Sequence, residues 1–101
     1  MNCEYQIKGN TLRIYIPKEL DHHISDSLRE EADLLTEAYF IRSIIFDFSR
    51  TEWMDSSGIG LVLGRYSLMQ SLGGDLELTR VPGHIQKYEI LRRNRSGRTF
   101  K

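Results

Sequence analysis

Asp55, Ser56 and Ser57 stand directly ahead of Gly58 and Gly60 in the run Met-Asp-Ser-Ser-Gly-Ile-Gly-Leu-Val-Leu-Gly-Arg-Tyr, Met54 to Tyr66. Hydroxyls and a carboxylate at the entrance to an apolar helix have two uses. A helix N-terminus carries free backbone N–H groups and partial positive charge, and a Ser or Asp there caps it, worth about 0.5–2 kcal/mol. The same N-terminus accommodates an anion, so a hydroxyl placed there can accept a phosphoryl group at small cost to the fold. Ser57, beside Gly58, is the candidate for this second use, and Ser56 reads as the residue that caps or faces inward. Gly58, Gly60 and Gly64 each disfavour a helix by about 1 kcal/mol relative to Ala. They point to a backbone approached closely at the helix mouth or, at Gly64 above all, to tight packing of helix on sheet.

Other chemistries lack their residues. A serine hydrolase elbow needs Gly two residues before and after its Ser, and the positions flanking Ser57 are Asp55 and Ile59. His22 and His23 follow Asp21, but no Cys/His cluster completes a tetrahedral metal site, and adjacent histidines near a helix start read as exposed polar residues. No Gly-x-x-x-x-Gly-Lys-[Ser/Thr] loop is present to cradle a nucleotide. The expectation is a protein without enzymatic activity, cofactor or metal: a binding module. Phosphorylation of Ser57 would add about −1.5 to −2 charge beside Asp55 and, if adjacent in space, Asp21. A partner seated on that corner would meet repulsion while the fold survived.

The elements that must position this corner alternate along the chain. Tyr5–Lys8 and Leu12–Pro17 read as strands around Gly9-Asn10. Asp21 precedes a helix with Ile24, Leu28, Ala32, Leu35 and Tyr39 on one face and Glu30, Glu31 and Asp33 mostly on the wet side. Ser43–Phe48 holds a near-continuous apolar run, typical of a central strand covered on both faces. The second helix carries a stripe of Ile59, Val62, Leu63, Tyr66, Met69 and Leu72, and Gly73-Gly74 stops it. Asp75–Arg80 is a further strand, and Pro82-Gly83 opens a third helix carrying Ile85, Tyr88 and Ile90 or Leu91. Such alternation predicts an α/β domain with a mixed, mostly parallel sheet and helices packed on it.

At 101 residues the chain suits one domain, and its 40% apolar content fits a soluble globular protein. No apolar run approaches the roughly 20 residues that span a bilayer, so no membrane role is expected. The first residues show no secretory pattern. Cys3 is the single cysteine; it forms no internal disulfide and reads as a passive thiol, which favours a reducing cytoplasm. Net charge is zero, yet from His84 onward six basic residues face only Glu89. Residues 1–91 therefore read as the domain and residues 92–101 as a basic tail, which reads as solvated. With few aromatics interleaved there, nucleic acid is not the favoured partner.

The run Met54–Tyr66, together with Glu-Leu-Asp-His-His at Glu19–His23, Ile44–Phe48 and Gly73-Gly74 before a strand, resembles the bacterial anti-sigma factor antagonists, small domains of the STAS class. The resemblance spans roughly Leu12 to Leu91. It implies a STAS-like single domain, with the family's last strand and helix short or absent in residues 92–101. It implies that Ser57, the serine directly before the glycine, is the phosphoacceptor. It implies as partners an anti-sigma factor that is also a serine kinase, and a serine phosphatase. Asp21 matches the family's acidic residue near the phosphoacceptor, a position that also suits a helix cap, and Arg65 matches a family Arg. The expected contact surface is thus Asp21, Asp55, Ser56, Ser57, Gly58, Ile59, Gly60 and Arg65. Two other classes stay open: a STAS scaffold module within a stress-signalling assembly, and a nucleic-acid binder using the basic tail.

Overall fold

Residues 3–86 are described by the structure, a computed structural model. Strands β1 (Glu4–Lys8) and β2 (Thr11–Tyr15) form an antiparallel hairpin whose register, Lys8 opposite Thr11, leaves Gly9-Asn10 as its two-residue loop. Helix α1 (His22–Ala38) follows a two-residue strand, β3 (Glu19–Leu20). Strand β4 (Ser43–Asp47), a second two-residue strand, β5 (Trp53–Met54), helix α2 (Ser57–Ser71) and strand β6 (Asp75–Thr79) complete the order. The main sheet runs β1-β2-β4-β6, with β2–β4 and β4–β6 parallel. The mixed, mostly parallel sheet expected from the alternation is therefore present, with β4 central.

One hydrophobic core lies between this sheet and the two helices. Leu12 and Ile14 of β2, Ile44 and Phe46 of β4, and Leu76 and Leu78 of β6 join Leu28, Ala32, Leu61, Val62 and Met69 of the helices. Period-2 alternation sends these strand residues to one face. The opposite face carries Arg13, Ile45, Asp47 and Glu77. Ile45 is only half-buried, so β4 is covered by helices on one face and not on both. Asp47 is fully buried there because Arg13 Nη1 donates to its Oδ2 at 2.8 Å and the Ser49 N–H to its Oδ1 at 2.9 Å. Burial alone would raise this carboxyl, but the Ser49 bonds, with Arg80 and Arg13, hold it below the usual carboxylate range.

The helix faces are rotated from the expected ones. In α1 the buried residues are Ser25, Leu28, Ala32 and Thr36; Ile24 and Leu35 flank the core, and Tyr39 is exposed. Glu31 and Asp33 are half-buried, not on the wet side. In α2, Leu61 and Arg65 are inside and Leu63 and Leu72 are exposed. Gly73 ends α2 as expected: its φ is +74°, and the N–H groups of Gly73 and Gly74 return to the carbonyls of Gln70 and Met69. Of the expected third helix, residues 83–86 form turns. Its remainder, and the tail of residues 92–101 with the short or absent last strand and helix, lie outside the described residues.

Candidate functional site

The site is built by the two shortest strands. Thr51 Oγ1 donates to the Ile16 carbonyl, and the N–H groups of Glu52 and Trp53 donate to the Lys18 carbonyl. These bonds draw the segment after β4 alongside the segment after β2. Strands β3 and β5 pair in parallel, Glu19 with Trp53 and Leu20 with Met54, and the Asp55 N–H continues the ladder to the Leu20 carbonyl at 3.1 Å. Asp21 and Asp55 thus leave the pair side by side, and α1 and α2 begin at the same corner.

Asp21 caps α1, its Oδ1 accepting the Ile24 N–H at 2.9 Å. At α2 the work is divided differently. Ser56 occupies the cap position, is exposed and makes no side-chain capping bond. It neither caps nor faces inward, contrary to expectation. Asp55 takes over: its Oδ1 accepts the Ser57 N–H at 2.9 Å and, through a short bond, the Ser57 hydroxyl. These two Ser57 bonds, with the nearby charge and backbone N–H of His22, hold the Asp55 carboxyl below its usual range. Ser57 Oγ also lies 3.1 Å from Ser25 Oγ of α1. The serine is half-buried, with a carboxylate on one side and a second hydroxyl on the other.

The other expected contact residues separate. Gly60 is exposed and Gly64 half-buried, and an added Cβ at either would meet open space, so tight helix–sheet packing is not what Gly64 serves. Gly58 is the close-packed one. A Cβ on it would lie 2.8 Å from Met54 Cε and 3.1 Å from Leu20 Cδ2. Gly58 therefore seats the first turn of α2 on the β3–β5 pair and faces inward. Ile59 is half-buried against the core. Arg65 is buried between the helices, with Nε 3.4 Å from Asp33 Oδ1 of α1. Burial lowers its pKa, with Asp33 opposing that shift. There its charge faces α1, away from the outward corner. The corner presented outward is Asp21, Asp55, Ser56, Ser57 and Gly60.

Ser25 was not singled out by sequence reasoning, nor were β3 and β5. The signal for Ser25 was present: it is a polar residue in phase with Leu28 and Ala32. Two-residue strands leave no period to read. Elsewhere, Cys3 is half-buried next to the start of β1. Its N–H and thiol both meet Glu31 Oε1, at 2.9 and 2.8 Å, and burial with this acidic neighbour pushes the thiol up to about 12. Among the described residues no helix is long and apolar enough to cross a membrane.

The mixed, mostly parallel sheet gathers both helix entrances at one Ser-Gly corner, and the sequence matches the STAS domain family over residues 2–94. The chain belongs to that family and, within it, to the anti-sigma factor antagonists. It is 32% identical over 83 residues to the anti-sigma F factor antagonist of Paenibacillus polymyxa, covering 80% of this chain and 71% of that protein. It is 34% identical over 68 residues to that of Lysinibacillus sphaericus, covering 67% of this chain and 58% of the relative. The anti-sigma factor antagonist SpoIIAA in its unphosphorylated form superimposes with a TM-score of 0.81 at 26% identity, covering 93% of this chain and 85% of the other. The Bacillus cell fate determinant SpoIIAA in the phosphorylated form gives 0.76 at 26% identity, covering 93% and 88%.

Proposed function

We propose that this chain binds an anti-sigma factor that is also a serine kinase, releasing the sigma factor, and that phosphorylation of Ser57 ends the binding. The observation that carries this reading is Ser57 itself. Its hydroxyl sits at the first residue of α2, half-exposed, with its proton directed at the Asp55 carboxylate. In the transfer, Ser57 Oγ bonds to the γ-phosphorus of a nucleoside triphosphate held by the kinase. The nucleoside diphosphate leaves, and the hydroxyl proton departs toward Asp55. The product places a phosphate at a helix N-terminus, where the dipole favours it, so the fold persists. It also places that phosphate beside Asp55 and Asp21, so a partner docking there meets a strongly negative corner. A serine phosphatase reverses the change, and the protein acts by binding and not by catalysis. The relatives' printed roles and the match to both SpoIIAA forms support this reading.

Titration of the Ser57→Asp variant against the kinase tests it. Affinity is expected to fall by about 1–3 kcal/mol, the usual scale of such coupling, with circular dichroism unchanged. Ser57→Ala is expected to bind and resist modification. A folded Ser57→Asp protein that binds like the wild type contradicts the reading.

A further inference from the structure

We propose that Ser25, in the first turn of α1, positions the Ser57 hydroxyl before phosphorylation and donates to the phosphoryl group afterwards; this rests on the reading of Ser57 above. A serine hydroxyl has one proton and two acceptor lone pairs, whereas an ionised carboxylate only accepts. The Ser57 proton is directed at Asp55 Oδ1, so the 3.1 Å contact with Ser25 must run from the Ser25 hydroxyl to a Ser57 lone pair. Ser25 is 5% exposed, and Ser57 is the partner its side chain has among the described residues. A buried hydroxyl without a partner is costly, so this contact fixes the Ser57 rotamer from the α1 side.

The two neighbours of Ser57 respond to phosphorylation in opposite ways. Asp55 loses the proton it was accepting and then faces an anion. Ser25 needs only an acceptor, and a phosphoryl group supplies three. Ser25 is therefore a positioning residue that serves both states, whereas the bond from the Ser57 hydroxyl to Asp55 belongs to the unmodified state alone. Because Ser25 lies on α1 and Ser57 on α2, the phosphate would join the two helix entrances by a charge-assisted bond.

The test needs no kinase. Phosphoserine is installed at position 57 during protein synthesis, and its second ionisation is followed by phosphorus-31 NMR against pH. A donor to the phosphate favours the dianion, so the wild-type value should lie below that of Ser25→Ala by roughly half a unit or more. Ser25→Thr, which keeps the hydroxyl, should restore the low value. Phosphoserine at the exposed position 56 should be indifferent to Ser25→Ala. The inference is overturned if Ser25→Ala leaves the position-57 phosphate unmoved, if Ser25→Thr titrates like Ser25→Ala, or if the position-56 phosphate shifts equally. Failure here leaves the kinase reading standing, and failure of the kinase titration leaves this result intact.

Discussion

Helices α1 and α2 start at the same corner and each is introduced by an Asp, but their entrances are wired differently. At α1, Asp21 holds an extended backbone, with φ −99° and ψ −176°, and its carboxylate accepts a backbone N–H. At α2, the cap residue Ser56 is already helical, with φ −65° and ψ −16°, and its side chain makes no capping bond. The carboxylate comes from one residue further out and accepts both a backbone N–H and a side-chain hydroxyl. In the first arrangement the accepted proton belongs to a backbone N–H, which no phosphoryl group can replace. The second includes a hydroxyl proton, which a phosphoryl group can replace. The difference between a cap and a switch therefore lies in which proton the carboxylate receives.

Substitutions at four positions test that contrast, and glycine gives the largest effect. Gly58→Ala sets a Cβ 2.8 Å from Met54 Cε and 3.1 Å from Leu20 Cδ2, so the ends of two buried side chains must shift within the core to make room. Stability is expected to fall by about 1–3 kcal/mol, a melting shift of roughly 4–8 °C per kcal/mol. Gly60→Ala, two residues along in open space, is expected to gain up to about 1 kcal/mol. Thermal melts of the pair check both signs. Asp21 comes next. Asp21→Ala should lose about 0.5–2 kcal/mol of capping, whereas Asp21→Asn, also a good cap, should lose only a few tenths. Weaker kinase binding by Asp21→Asn at unchanged melting temperature would show that the charge itself contacts the partner.

The smallest effect is electrostatic. The Asp55 carboxyl is depressed chiefly by the two Ser57 bonds. A depressed carboxyl contributes stability above its unfolded value of about 3.9 and loses it as pH falls through the folded value. Ser57→Ala removes the side-chain donor, so the Asp55 titration followed by NMR should move upward. An unchanged titration would mean that the Ser57 hydroxyl does not face Asp55 in solution.

Much of this was legible in the sequence. The alternation of Leu12, Ile14 and Ile16 and the apolar run at Ile44–Phe48 placed the sheet, and Asp21 was readable as a cap. The Ser-Ser-Gly run marked the corner. The inward turn of Arg65 was hidden because a charged residue on an apolar helix reads as surface, and the opposite charge it meets, Asp33, comes from the other helix across the α1–α2 contact. The run at β4 read as covered on both faces because Ile45 is apolar, although it stands among Arg13, Asp47 and Glu77. The pairing of β3 with β5, which sets Asp21 beside Asp55, comes from tertiary hydrogen bonds to the Lys18 and Leu20 carbonyls that no local pattern encodes.

The most direct measurement is the site of modification. The purified chain is incubated with the anti-sigma factor kinase and ATP, then digested and mapped by tandem mass spectrometry across Trp53–Arg65. The wiring of α2 calls for a single phosphate on Ser57, none on the more exposed Ser56, and no modification of Ser57→Ala. A phosphate on Ser56, or full modification of Ser57→Ala, would contradict the assignment of Ser57 as the switch.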